Sequence, residues 1–294
     1  MYEMFRGLDG SPPVSTQSND WHHHIDGIAK LLELRGPEMH TSDHSRALFL
    51  DARISVFVAG IKKRKAAVLS SGKWRDVPWK HCPRDLRDEL MDVYADLAEQ
   101  LEEQDEFAQR VVMKPRSNEP VLLSKQADEI FHRCMETGAS LLRWESRALR
   151  LCAGASESIS IPPYLEDNCC AHGFGFFHLV MQYWAACIIG YSRARALIEG
   201  MPAGGSCRAQ IPDPRIFASA IARHCSRYFE PESGLLGPRG ATVPMGVALQ
   251  YYHATGQEES PEMEEMSRVF RECKLAFMTC EWLRSAEAAD PEPL

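Results

Sequence analysis

The sequence predicts an all-α protein, a single irregular array of packed antiparallel helices. Three observations carry that expectation. Apolar residues recur every three to four positions through most of the chain. No stretch alternates apolar and polar residues with β-branched enrichment, as half-buried strands do. Segments rich in glycine and proline separate the periodic runs. With 294 residues, 45% of them hydrophobic, the chain can bury a substantial core, and no repeat of fixed period points to a solenoid.

Taken in order, residues 1–20 read as a flexible polar arm. Trp21 to Leu34 then carries Ile25, Ile28, Leu31 and Leu32 at helical spacing, and Gly36-Pro37 stops it. Thr41, Ser42 and Asp43 offer caps for a second helix, with Leu48, Ala52, Val56 and Ala59 as its stripe. Its end falls at the basic run Lys62–Lys65, where cations suit the negative end of the helix dipole. Residues 70–83 read as a loop holding Trp74 and Trp79, whose large apolar faces can seal it onto helices. Arg84 to Arg110 is a charged helix with one stripe, Leu86, Leu90, Val93, Leu97 and Leu101.

After a turn with Pro115 and Pro120, Leu122 to Cys152 is a long helical pattern with Ile130, Cys134, Leu141, Leu142 and Trp144, partly broken by Gly138. Residues 154–170 form a loop. The apolar segment 172–198 is expected at the centre of the core. Residues 200–213 are a surface loop, and helices are expected near 214–228, 241–254 and 259–284. Residues 21–285 thus form one helical domain and 286–294 a frayed acidic tail.

The formal net charge is -8 and the pI about 5.8, so the chain lacks the global attraction to phosphate of most nucleic-acid binders. The N-terminus shows no secretory h-region. Phe174 to Tyr191 is the most apolar run, but His178, Gln182 and Ser192 interrupt or bound it; it reads as a core helix, and no membrane partner is expected. Of ten cysteines, Cys134, Cys152, Cys187 and Cys225 lie inside apolar helical patterns and read as buried free thiols, as the nucleus or cytosol permits.

Several residue groups are candidates for chemistry. His22-His23-His24 point in divergent directions on a helix and cannot easily share one metal. His40 and His44 are four apart but lack a third ligand, and solvated polar residues at a helix start explain them. Lys62-Lys63-Arg64-Lys65 is an import signal or phosphate patch in one reading and a helix C-terminus in the favoured one. His178, Gln182 and Tyr183, with His172 nearby, form the candidate ligand pocket. His178 or Tyr183 would act there as acid, base or ligand donor; otherwise they are a core histidine bonded to backbone and a tyrosine reaching the surface. Cys169-Cys170 lack a supporting base, and Gly204-Gly205 and Gly234–Gly240 lack the strand of a phosphate loop. No metal and no cofactor is expected, and no catalytic motif is found.

Three blocks together carry a resemblance. The first is Trp21-x-x-His24-x-x-Gly27, followed by Leu31-Leu32 and Leu34-Arg35-Gly36-Pro37. The second runs from Arg46 to Lys65 and on to Val68-Leu69, Trp74 and Val77-Pro78-Trp79. The third is Ile221–Tyr228 with Gly234–Gly237 and Pro244. These resemble the C-terminal regulatory region of fungal zinc binuclear-cluster transcription factors, the fungal-specific transcription factor domain. The resemblance implies structural roles for Trp21, His24, Gly27, Arg35, Gly36, Pro37, Trp74, Pro78 and Trp79. It also implies a role in transcriptional control, in a metabolic gene cluster.

The departure is the zinc head. The sequence has no cysteine before Cys82 and no C-x-x-C pair, and Cys273 and Cys280 share one spacing with the cluster without its partners. Direct sequence-specific DNA binding is therefore not expected. The expected function is a regulator that binds a small molecule or protein partner. The alternative is a repurposed enzyme, a cyclase or isomerase acting on a small-molecule intermediate by orientation alone.

Overall fold

The segment 173–199 shows how local sequence sets position in this fold. From Val180 to Tyr191 every residue is buried, so the helix has no polar face. It is long and apolar enough to cross a membrane by length and composition, yet here its surroundings are protein side chains. A computed structural model of the chain describes residues 14–112, 119–153, 173–199, 211–234 and 236–272. Among these, 88% are helical and none is in a strand, as the periodicity predicts.

The helices are α1 (Val14–Arg35), α2 (Asp43–Lys63), α3 (Gly72–Asp76), α4 (Leu86–Val112), α5 (Glu119–Ala153), α6 (Gly173–Glu199), α7 (Pro214–His224), α8 (Leu236–Ala254) and α9 (Pro261–Glu272). Short 3-10 turns lie at Pro37–His40, Val68–Ser70, Val77–Trp79, Cys225–Phe229 and Pro231–Ser233. Several expectations concern residues outside the described ones: the arm over 1–13, Pro115, the loop 154–170 with Cys169-Cys170, His172, Gly204-Gly205, Cys273, Cys280 and the acidic tail.

The ends of the helices follow from their capping residues. Gly36 adopts φ 77°, its N–H donating to Leu32 O, and Pro37 opens a 3-10 turn: the Arg35-Gly36-Pro37 stop works as read. α2 closes with paired bonds, Lys65 N–H to Gly60 O and Arg64 N–H to Ile61 O, a Schellman turn with Arg64 in the left-handed position usually given to glycine. α4 opens on a reciprocal capping box: Asp88 N–H donates to Asp85 Oδ1 (2.8 Å) and Asp85 N–H to Asp88 Oδ2 (3.2 Å). Asp213 caps α7, accepting from Arg215 N–H, with Pro214 in its first turn.

Some expectations are corrected. Helix α1 begins at Val14, inside the stretch read as arm. Leu48 is 65% exposed; the buried stripe of α2 is Ser45, Phe49, Arg53, Val56, Phe57, Ala59 and Gly60, of which Val56 and Ala59 were expected. An arginine on the buried face disguised that stripe. Leu31 and Leu142 are also exposed. Residues 70–83, read as a loop, hold α3 and a 3-10 turn, which bury Trp74 and Trp79.

Where one domain was read over 21–285, the packing divides into two compact units. One comprises His22–Arg147 and Arg193–Ile211, the other Met1–Trp21, Ala148–Ser192 and Pro212–Leu294. In the 22–147 unit, α4 buries Leu86, Leu90, Val93, Tyr94, Leu97 and Leu101, and α2 packs along it. In the other unit, α7, α8 and α9 pack on one another, and Phe177, Val180, Met181 and Trp184 of α6 are fully buried. Burying one such side chain contributes about 1.5–3 kcal/mol.

Candidate functional site

The 22–147 unit concentrates charge around α4. Its carboxylates meet arginines from other elements. Arg53 and Arg84 both reach Asp92, Arg75 pairs with Asp96 (2.5 Å), and Arg147 pairs with Glu89. Arg133 reaches Glu99 and Glu103, and Arg64 forks onto Asp105 through Nε and Nη2. The deepest of these is Arg53, 1% exposed. Its guanidinium lies 4.7 Å from the Trp79 ring centre and that of Arg84 lies 4.8 Å from it, while the Trp79 indole N–H donates to Asp88 Oδ2 at 2.9 Å. Burial drives Asp92 above the ordinary carboxylate range and Arg53 below the ordinary guanidinium range, against their mutual attraction.

Arg193, on the last turns of α6, is buried among neutral acceptors. It donates to Gln104 Oε1 (2.9 Å), Leu97 O and Gln100 O, and burial brings its pKa down to about 10. These groups were not singled out from the sequence. The available signal was an arginine recurring on an otherwise apolar face, as Arg53 does between Phe49 and Val56.

In the other unit the structure separates the candidate pocket residues. His178 is half-buried, and its Nδ1 shares a 2.9 Å hydrogen bond with the hydroxyl of Tyr228, which is fully buried. This is a side-chain partner for the histidine, which the sequence reading did not name. Phe174 stacks on His178 one turn away, and Phe177 lies 4.9 Å from the Tyr228 ring. Gln182 is buried on the same face of α6, four residues on. Tyr183 turns elsewhere: it is 1% exposed, edge-on to Phe217 at 6.4 Å, and does not reach the surface.

Helix α8 closes over the His178–Tyr228 pair. A Cβ on Gly240 would lie 3.1 Å from both His178 Nδ1 and Tyr228 Cε1, and one on Gly237 would lie 2.0 Å from the Tyr228 carbonyl oxygen. At Gly237 only glycine allows that approach, and at Gly240 a methyl would have to push the two rings aside. Pro244 has no N–H, so the Gly240 carbonyl has no i+4 backbone donor. A shallow depression of about 290 Å³ lies instead at the start of α9, lined by Glu258, Glu259, Ser260, Met263, Glu264 and Ser267.

The remaining candidates are placed as follows. His23 and His24 are exposed; Trp21 and His22 are half-buried. Gly27 faces open space, and Arg35 is exposed. Trp74, Pro78 and Trp79 are buried, Trp74 stacking on Phe49 at 5.4 Å. His40 was read as solvated and is instead 1% exposed, with Nδ1 bonded to Ser45 O at 3.0 Å, while His44 is exposed. Lys63 and Arg64 of the basic run are engaged with Asp26 and Asp105. Among the described residues, no group of three or more His, Cys, Asp or Glu could hold a metal ion. Cys134, Cys187 and Cys225 are buried free thiols, and burial pushes Cys225 up to about 12.

No family model matches the chain, and neither the curated proteins nor the solved structures yield a match.

Proposed function

We propose that this chain is a regulatory binding domain, of the kind its three sequence blocks resemble, that responds to a small molecule or protein partner. The observation that carries the reading is the state of its best acid–base candidate. His178 spends Nδ1 on a buried tyrosine under the backbone of Gly240, which is the use of a packing residue. The thiols support it too: Cys134 and Cys225 are held above the ordinary thiol range by burial, the reverse of an activated nucleophile.

In this reading the chain works in the nucleus or cytoplasm beside a separate DNA-binding protein, within the control of a metabolic gene cluster. The net charge of -8 supports leaving DNA contact to the partner. The test is deletion of the gene with parallel measurement of neighbouring transcripts and of pathway intermediates. Transcripts of the whole cluster are expected to change together. Accumulation of one intermediate with unchanged transcripts contradicts the proposal.

One observation favours the enzyme reading, a cyclase or isomerase: the His178–Tyr228 bond has a length suited to proton transfer and one half-buried partner. Purified protein would then convert the accumulated intermediate, and Tyr228→Phe would abolish conversion while the fold persists.

A further inference from the structure

Helix α1 carries two faces with apolar residues, and only one of them is buried. Ile25 and Leu32 belong to the buried face. On the other, His24, Gly27, Leu31 and Leu34 follow one another at spacings of three, four and three, the seam of a helix that packs lengthwise on another. All four are exposed, Leu31 at 68% and Leu34 at 73%.

Gly27 is the informative residue of the exposed face. A glycine inside a helix weakens it relative to alanine, and its use there is to let another backbone come close. Gly60 and Gly237 have such a use within the chain: a Cβ would lie 2.8 Å from Lys65 O at the first and 2.0 Å from Tyr228 O at the second. A Cβ on Gly27 would meet nothing within 4 Å, and its φ is not positive. The opening it leaves therefore faces outward.

The charges beside the seam indicate what fits it. His23, Asp26, Lys30 and Glu33 are exposed and, at 100° per residue, lie along one side of it. Their order is base, acid, base, acid. Reversed, it is acid, base, acid, base, so a second copy of this face run antiparallel sets each group opposite its complement. Lys30 already pairs with Glu33 (2.7 Å) and Lys63 with Asp26 (2.6 Å). Exposed pairs of this kind are weak, and the Lys30 and Asp26 side chains keep 65% and 58% exposure, so both can take a second partner. An anionic membrane surface fits less well, because helices that lie on it present basic flanks, whereas this flank is half acidic on a chain of net charge -8.

We propose that the exposed face of α1 is a self-association surface, on which a second copy of the chain packs its own α1 antiparallel about a two-fold axis near residues 28 and 29. In that register Leu31 seats against Gly27 of the second copy and Leu34 against its His24, while Lys30 faces its Asp26 and His23 its Glu33. The surface serves a regulator or an enzyme alike, so it does not rest on the regulatory reading. Three turns of helix bury less than the roughly 1,200 Å² of a stable interface, so the dimer is weak, with Kd on the order of 10–100 μM.

The test is sedimentation of the full chain from about 2 to about 500 μM, a span that brackets that Kd. The weight-average mass is expected to rise from 33.1 kDa towards twice that value. Leu31→Glu, at an exposed position, is expected to leave the chain monomeric. Gly27→Gln fills the opening with a better helix former, so Tm is expected to hold or rise while Kd weakens at least about tenfold. Lys30→Glu sets acid against acid and is expected to weaken Kd about threefold to fivefold, as is raising sodium chloride to about 0.5 M in the wild type. A mass that stays at 33.1 kDa throughout overturns the proposal, whether or not the face then binds anionic vesicles or another protein. A dimer that Leu31→Glu and Gly27→Gln leave intact overturns it too, since its interface lies elsewhere. Tighter association in Lys30→Glu also overturns it, as the sign of a parallel pairing in which position 30 faces Arg35 of the second copy.

Discussion

In the 22–147 unit, beside the leucine stripe of α4 and the Phe49–Trp74–Trp79 rings, the carboxylates of α4 and guanidinium groups from other segments tie elements together. In the 148–192 and 212–294 unit the ties are rings: Phe174, Phe177, His178 and Tyr228 at one end, Tyr183, Tyr191 and Phe217 at the other. The two solutions differ in how they fail. A desolvated ion pair is compensated only while both partners are present, so removing one leaves a buried charge. A ring cluster fails by volume, through a cavity or through overpacking. Partial exposure divides the first unit further. The outer pairs, Arg133 with Glu103 and Arg147 with Glu89, are screened by water and contribute little singly, whereas Arg53 with Asp92 is sealed by Phe49, Phe57 and Trp79.

The largest expected effect is therefore at Asp92. Asp92→Ala leaves Arg53 only the longer contact to Asp88 and Arg84 only the exposed Asp76, and is expected to destabilise by about 3–5 kcal/mol in urea denaturation. A loss under about 1 kcal/mol would mean that Asp88 alone compensates Arg53 and that the sealed pair has no special standing. Next is Gly237→Ala in the ring-packed unit, where the new methyl meets the Tyr228 carbonyl oxygen and the Ser233 side chain; about 2–3 kcal/mol is expected from overpacking, read the same way. Tyr228→Phe removes only the hydroxyl and leaves His178 Nδ1 without that partner, for about 1–1.5 kcal/mol.

Cys225 sharpens the contrast through pH. A thiol raised in the folded state contributes stability fully below the ordinary thiol pKa, and that contribution is lost as pH rises from about 9 towards about 12. Iodoacetamide near pH 9, with mass spectrometry, is expected to label Cys82, which is half-exposed, and to spare Cys225 until the chain unfolds. The smallest effect is expected at Arg64→Gly. Glycine relieves the left-handed backbone and loses the partly exposed Asp105 pair, two terms of about 1 kcal/mol or less that oppose each other.

The helices were legible in the sequence because period and punctuation agree: the α4 leucines, the Arg35-Gly36-Pro37 stop and the apolar run of α6 all fell where read. The α2 stripe was legible only in part. Its later half was, since Val56 and Ala59 are buried as read; its first half was not, because Arg53 sits on the buried face, periodicity scores a charge as solvent-facing, and Leu48 was read as buried where Phe49 is. The division into two units was hidden as well, because α5 and α6 each contribute residues to both and no linker composition marks the boundary. At the candidate site, His178 and Gln182 stood out as polar groups in an apolar helix, but the hydrogen-bond partner of His178 comes from fifty positions away. Tyr228 and Gly240 carry no local signal that they meet His178.

Hydrogen exchange of the wild-type chain at low and high salt tests the contrast most directly. Raising sodium chloride to about 1 M shortens the Debye length to about 3 Å and weakens the half-exposed pairs on α4. Amides of residues 86–112 are expected to exchange up to about tenfold faster, the sum of several weakened pairs of a few tenths of a kcal/mol each. Amides of residues 180–191 are expected to hold their rates, because ring packing and apolar burial are not screened. Equal acceleration in the two segments, or a larger one in 180–191, would contradict the account.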